Sequence, residues 1–128
     1  MRRLYTLLMF LWAITRGALA APMDARVHAE VENLLDHLQA SGCEFGRNGV
    51  WYPAAAATKH LQGKLENLES RGVIVTTESF IDLGASTSSS SGQPYLVRCG
   101  QAAPVASRQW LSDELRVLRA FGQPLTKP

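Results

Sequence analysis

The sequence predicts an α+β domain in which three to four helices pack on a small antiparallel sheet, formed by a hairpin plus one strand and held by one disulfide. Three observations support this class. Leucine-rich stretches with a helical period alternate with short apolar segments beside turn residues. An Asn-Gly pair separates two of those segments, where it favours a hairpin turn. The two cysteines, Cys43 and Cys99, lie next to this hairpin and next to a later predicted strand.

The N-terminal segment, residues 1–20, has the composition of a secretory signal peptide. Two arginines give it a basic start, an almost unbroken apolar run of 11 residues follows over Leu4–Ile14, and Ala18 and Ala20 are the small residues that a signal peptidase reads. A membrane-spanning helix needs about 20 apolar residues, so we expect no stable membrane anchor after cleavage between Ala20 and Ala21. The segment therefore predicts a periplasmic or secreted product.

The remaining chain, residues 21–128, is predicted to be a single small globular domain with its core between about residues 24 and 121. Without the three arginines of the N-terminal segment, it has 10 basic and 11 acidic residues, a net charge of about −1. No basic stripe remains after this correction. We therefore expect no nucleic-acid partner, because binding to phosphate backbones depends on clustered lysine and arginine.

Cys43 and Cys99 are the two cysteines of the chain, and export takes both to an oxidising compartment. An even pair in a small exported domain predicts a disulfide, here one that ties the hairpin to the later strand. The alternative is a reactive thiol nucleophile, which requires Cys43 to stay reduced. The compartment favours the disulfide.

The first half of the domain predicts a helix, a hairpin and a second helix. Apolar residues recur with helical spacing over Met23–Ala40, and Ser41-Gly42 ends that stretch. Cys43–Phe45 and Val50–Tyr52 flank the turn residues of the hairpin. Pro53 then begins the second helix, whose leucines form its buried face.

The second half predicts a short helix, a polar loop, a strand and a last helix. Thr76 offers a hydroxyl cap for a helix that extends to about Ala85 and buries two apolar residues. The segment 86–94 is nearly all Ser, Thr and Gly, which indicates a flexible connector. Tyr95–Arg98 alternates as a strand does. Ser107 is expected to cap the last helix, with Phe121 on its buried stripe.

An ordered set of short motifs resembles a family of small bacterial periplasmic proteins catalogued as a domain of unknown function. The resemblance covers roughly residues 26–119. Its most specific parts are Cys43-x-Phe45-x-Arg47-Asn48-Gly49 and Ser91-Gly92-x-Pro94-Tyr95, with His60-Leu61-x-x-Lys64-Leu65, Phe80-Ile81 and Trp110-Leu111-x-x-Glu114-Leu115 between and after them. The resemblance implies a periplasmic location and a domain of this size. It implies no activity.

Five polar residues are candidates for a binding site: Arg47, His60, Lys64, Ser91 and Tyr95. Arg47 stands at the hairpin tip, where it can pair with a carboxylate or phosphate or remain solvated. His60 and Lys64 are four residues apart and so share one side of a helix. Ser91 and Tyr95 follow the serine-rich loop. The short connections and the bridge predict that these groups gather on one side, with Arg98 on the opposite face of the strand from Tyr95.

No metal or cofactor site is predicted. His28 and His37 are nine residues apart on one helix, about half a turn around it, so they cannot share an ion. With both cysteines oxidised, no four-ligand zinc site can be assembled. The serine loop has no phosphate-binding lysine and no recognised nucleophile motif.

Two functions fit these features. The first is a non-catalytic binding or accessory domain of the bacterial envelope, whose partner is an unknown envelope protein or an anionic or polar ligand. Aromatic residues near turns, Trp51, Tyr52 and Tyr95, could supply its contact surface. The alternative is a small hydrolase or transferase that uses His60 as base with Ser91 or Tyr95 nearby. Convergence of His60, Arg47 and a serine in one concave pocket would favour the enzyme. Dispersal of these groups over a convex surface would favour the binding domain.

Overall fold

The computed structural model describes residues 23–122, which contain four α-helices and four strands. In chain order the elements are α1 (Ala25–Ala40), β1 (Glu44–Arg47), β2 (Val50–Pro53), α2 (Ala54–Ser70), α3 (Thr77–Gly84), β3 (Leu96–Arg98), β4 (Val105–Ala106) and α4 (Ser107–Val117), followed by a π-helical turn over Leu118–Gly122. The α+β class is confirmed. The predicted signal peptide, residues 1–20, lies outside the described residues.

The sheet has the strand order β2-β1-β3-β4, and every neighbouring pair is antiparallel. Asn48 and Gly49 connect β1 to β2, and both have positive φ, as the tight hairpin turn favoured by Asn-Gly requires. In the central pair, Phe45 of β1 lies opposite Val97 of β3. The strand β4 was not predicted, because two residues are too few to show alternation.

The helices cover one face of the sheet. Helices α2 and α4 contact the strands, and α1 packs against α2, α3 and α4. Strand alternation directs Phe45 and Val97 toward the helices, where both are buried. Burial of each large apolar side chain contributes roughly 1.5–3 kcal/mol. The most fully buried side chains are Val31, Leu34, Leu35, Leu38, Phe45, Leu61, Leu65, Phe80, Ile81, Tyr95, Val97 and Leu111.

The predicted disulfide is confirmed: Cys43 and Cys99 are joined, with an S–S distance of 2.06 Å. Cys43 directly precedes β1 and Cys99 directly follows β3, so the bridge closes one end of the central strand pair. Within residues 23–122, no helix combines the length and the apolar composition that crossing a bilayer requires.

The third helix has the predicted cap. Thr76 accepts a hydrogen bond from the backbone N–H of Ser79 at 3.1 Å, and the Ser79 hydroxyl accepts one from the backbone N–H of Thr76 at 2.9 Å. Each residue thus satisfies the other's backbone donor. The helix ends at Gly84, one residue before the predicted end at Ala85.

Two details of the last helix were predicted wrongly. Ser107 is not the cap but the first helical residue, since its buried N–H donates to the carbonyl of Tyr95 at 2.8 Å and the cap position falls on Ala106. Phe121 is 89% exposed rather than part of the buried stripe. The chain widens into the π-helical turn over Leu118–Gly122, and the 3.6-residue period that would bury Phe121 is lost there.

The serine-rich segment is a hydrogen-bonded turn rather than the simple connector that its composition suggested. Ser88 donates its N–H to Gln93 at 2.9 Å and accepts from the N–H of Gly92 at 2.8 Å. Thr87 and Pro94 form an isolated bridge on either side. The Ser88 side chain is buried. Backbone pairing therefore gives this loop a defined shape beside the sheet.

Candidate functional site

Arg47 is the last residue of β1 and faces the helices, because it is two residues from the buried Phe45 on the same strand. It lines a cavity of about 150 Å³ together with Tyr52, Ala56 and His60. Its Nε atom is buried and has no hydrogen-bond partner among the described residues. An unsatisfied buried donor costs about 1–3 kcal/mol. The cavity thus provides space for an acceptor beside a residue with an unsatisfied donor.

Helix α2 supplies His60 and Lys64 on one side, as their spacing predicted. The helix begins at Ala54, one residue later than predicted. Pro53 occupies the cap position because it still pairs with Glu44 as the last residue of β2. The hairpin therefore leads without a loop into the helix, and this direct connection brings His60 to the cavity of Arg47.

Tyr95 is the centre of the polar network. Its hydroxyl lies 3.1 Å from Nε2 of His60 and accepts a hydrogen bond from Nζ of Lys64 at 3.2 Å. Lys64 also donates to the carbonyl oxygen of Thr87 at 3.1 Å, and its Nζ lies 4.9 Å from the centroid of the Tyr95 ring. That ring packs against Phe45, with centroids 4.9 Å apart. The network is therefore anchored in the core.

The chemistry of the ammonium group fixes one of these hydrogen-bond directions. An ammonium group only donates, so the oxygen of Tyr95 accepts from Lys64. The direction of the bond between Tyr95 and Nε2 of His60 depends on the tautomer of the imidazole, because the phenolic oxygen keeps a second lone pair as well as its own hydrogen. A neutral imidazole that accepts at Nε2 carries its proton on Nδ1. In that tautomer, Nδ1–H is the donor of the ring.

His60 is neutral over more of the pH range than an ordinary histidine. Burial lowers its pKa below the usual 6.5, and the positive charges of Arg47 and Lys64 lower it further. A bound anion would favour the protonated ring and oppose this effect. The electrostatic environment around His60 is therefore suited to negative charge.

Four of the five predicted site residues come together, and Ser91 does not. His60, Lys64 and Tyr95 share hydrogen bonds, and Arg47 lines one cavity with His60. The hydroxyl of Ser91 instead donates to Oδ1 of Asn48 at 2.5 Å. This contact fastens the serine loop to the hairpin tip.

Arg98 lies on the opposite face of the sheet from Tyr95, as strand alternation predicted. Its guanidinium donates to the carboxylate of Glu44 at 3.1 and 3.2 Å and lies 4.0 Å from the centroid of a Trp51 ring. The proposed aromatic contact surface is wrong for Tyr95, which is 1% exposed because its ring belongs to the core. Trp51 and Tyr52 are half-buried.

Sequence reasoning missed several residues around His60. Gly63 and Asn67 of α2, with Arg71 at the C-terminal cap of that helix, line an open groove with His60 and Lys64. Ser89, rather than Ser91, is the serine-loop residue that lines it. Extending the helical spacing beyond Lys64 by three and seven residues would have identified Asn67 and Arg71.

The histidines of α1 form ion pairs with carboxylates when protonated. His28 lies 3.7 Å from Glu32 and 3.5 Å from Glu69, and His37 lies 2.7 Å from Glu114. No group of three or more potential metal ligands occurs in the described part of the chain.

Comparison with known proteins identifies relatives of this chain but no activity. No solved structure matches the chain. A protein of Salmonella typhimurium, "Uncharacterized protein YfeK", is 40% identical over 76 residues, which cover 59% of this chain and 62% of that protein. The chain thus spans less than two thirds of the length of this relative. Residues 25–119 match the model of the family of unknown function DUF5329, and the chain belongs to that family.

Proposed function

We propose that the protein is an exported, non-catalytic binding domain of the bacterial envelope, and that it holds an anionic group of its ligand between Arg47 and His60. The ligand group is a carboxylate or a phosphate. The observation that carries this proposal is that Arg47 lines a cavity while its buried Nε has no hydrogen-bond partner among residues 23–122. An oxygen anion in that cavity would complete a charge-assisted hydrogen bond.

The distribution of ion pairs supports the same choice. Four arginines elsewhere in the described chain are paired: Arg98 with Glu44, Arg108 with Asp82, Arg116 with Asp113, and Arg119 with Glu30 and Glu78. Arg47 and Lys64 form no such pair with a described carboxylate. Their positive charge therefore remains available to an external anion beside His60, which lines a cavity with Arg47 and a groove with Lys64.

The geometry gives less support to the alternative, a hydrolase or transferase with His60 as base. A base needs a nucleophile or substrate proton within hydrogen-bond reach. The hydroxyl bonded to His60 belongs to Tyr95, which is buried in the core. Ser91, the serine named in that hypothesis, is bonded to Asn48 instead. These contacts favour binding over catalysis.

Export is supported by the N-terminal sequence and by the disulfide. Residues 1–20 have the basic start, apolar run and small residues of a signal peptide. A bridge between Cys43 and Cys99 is typical of a protein in an oxidising compartment. N-terminal sequencing of the exported protein should give a mature start at Ala21. Retention of Leu4–Ile14 in a membrane fraction would contradict the proposal.

The binding proposal is tested by titrating the oxidised domain, residues 21–128, with benzoate and separately with inorganic phosphate. Amide chemical shifts around His60 should change and saturate with at least one of these anions. Arg47→Gln should weaken that binding at least about tenfold, the loss expected for one charge-assisted hydrogen bond. Arg108→Gln is the matched control and should bind normally, because Arg108 is an exposed residue paired with Asp82. Equal binding by wild type and Arg47→Gln would refute the site.

A further inference from the structure

A second concave region adjoins the cavity of Arg47, and His60 lines both. It is an open groove of about 370 Å³ between α2, the C-terminal end of α3 and the serine loop. The residues along it are His60, Gly63, Lys64, Asn67 and Leu68 of α2 and Arg71, the C-terminal cap of that helix. Leu83 of α3 and Ser89 of the loop complete the lining. At about 1.5 Å per helical residue, the groove extends roughly 16 Å from His60 to Arg71.

The charged residues that line this groove are basic. Lys64 lies near its middle and Arg71 at its far end, and no aspartate or glutamate lines it. Within residues 23–122, neither cation forms an ion pair with a carboxylate, in contrast to the four paired arginines elsewhere. Arg71 is exposed at the C-terminal end of α2. A second anionic group would therefore find an unpaired partner there.

The groove also has an apolar side. Leu83 of α3 is 54% exposed, and Leu68 of α2 also lines the groove. An exposed leucine that borders two unpaired cations suits a ligand whose middle part is apolar. Asn67 and Ser89 add neutral hydrogen-bonding groups at the edges.

Gly63 is the feature that the rest of the fold does not explain. It stands in the interior of α2, where glycine is less favourable than alanine. Its φ is not positive, and a Cβ atom added there would meet nothing within 4 Å. Neither backbone conformation nor packing therefore requires glycine. Its missing side chain leaves open space on the surface of the groove, three residues from His60 in the direction of Arg71.

We infer that the ligand is an elongated dianion, with one acid group between Arg47 and His60, a second at Arg71, and an apolar connecting chain that passes over Gly63 and beside Leu83. This inference rests on the proposed function and names the class of ligand. The two acid groups are separated by roughly the 16 Å between the ends of the groove. Lys64 lies between them, and its ammonium is held in place by Tyr95 and Thr87.

The test is a series of straight-chain α,ω-dicarboxylates from succinate to tetradecanedioate, each compared with the monocarboxylate of equal length. Calorimetry on the oxidised domain should show affinity rising with length only for the diacids, with the longest diacids at least about tenfold tighter than their monoacids. Arg71→Gln should lower the affinity for the long diacids to that for the monoacids and leave the affinity for benzoate unchanged. Lys59→Gln, an exposed position on the same helix outside the groove, should change neither.

Gly63→Leu gives an independent check, because leucine favours the helix while its side chain occupies the groove. This variant should weaken binding of the long diacids at least about tenfold and leave benzoate binding unchanged. The inference would be overturned if the long diacids bind no more tightly than the monoacids, or if Arg71→Gln leaves their affinity unchanged. The proposed site at Arg47 would stand in either case. If Arg47→Gln changes nothing for any anion, or if no anion binds, the proposed function fails with it.

Discussion

Removing the hydroxyl of Tyr95 is the most specific perturbation of the polar network, because the ring stays in place. Tyr95→Phe keeps the packing against Phe45 and deletes the one oxygen that bonds both His60 and Lys64. A neutral hydrogen bond contributes about 0.5–1.5 kcal/mol and one from a charged donor about 1.5–3 kcal/mol. Lys64 retains the Thr87 carbonyl, so we expect a total loss of about 1–2 kcal/mol rather than the sum of both bonds.

Urea denaturation of the oxidised domain measures this loss as a lower midpoint with an unchanged slope. Tyr52→Phe is the matched control: it removes the same atom from a half-buried residue whose hydroxyl bonds no described residue, so the change should stay within about 0.5 kcal/mol. The nitrogen chemical shifts of His60 give a second measurement, because loss of the Tyr95 hydroxyl removes the partner of Nε2 and should change the ratio of the two ring tautomers. Equal losses in the two variants, with the tautomer of His60 unchanged, would refute the network.

Four further outcomes are expected. Cys43→Ala and Cys99→Ala should lose similar stability, about 2–5 kcal/mol, and clearly unequal losses in thermal melts would show a separate role for one sulfur. Gly84→Ala should destabilise by about 1–3 kcal/mol, because its Cβ would lie 2.8 Å from a phenylalanine ring carbon. Gly63→Ala, with nothing within 4 Å of its Cβ, should stabilise by about 0.5–1 kcal/mol in the same melts. Benzoate should bind more tightly as pH falls below 6.5, since burial and two cations hold the pKa of His60 under that value and the protonated ring attracts the anion. Calorimetry from pH 7.5 to 5 checks this, and a pH-independent affinity, or the same dependence in His60→Gln, would contradict it.

Local features of the sequence were enough to predict most of the fold. The leucine spacing of the helices reflects burial on one face, and the Asn48-Gly49 pair has the positive φ values that its turn requires. The strand β4 could not be predicted, because its pairing with β3 depends on where the chain returns rather than on its own two residues. The exposure of Phe121 depends on a change of helical period that the residues themselves do not indicate.

The part of the candidate site that could be predicted is the part that depends on short connections along the chain. The hairpin, the helix that follows it and the disulfide bring Arg47, His60 and Tyr95 within reach of one another. The depth of Tyr95 was not predictable, since a tyrosine beside a turn can lie on either side of the sheet. The partner of Ser91 was equally hidden, because its bond to Asn48 joins residues far apart in the chain.

The position of the disulfide has a consequence for folding kinetics. Pairing β1 with β3 requires closing a long stretch of chain, since the bridged cysteines at its end are 56 residues apart. Such non-local contacts slow folding, because the entropy of loop closure is lost before the contacts form. In the oxidised chain that closure is already made, so the oxidised protein should refold faster than the reduced one. Arg47 and Tyr95 lie near opposite ends of the stretch that the bridge closes, so binding competence should also return sooner in the oxidised protein than in the reduced one.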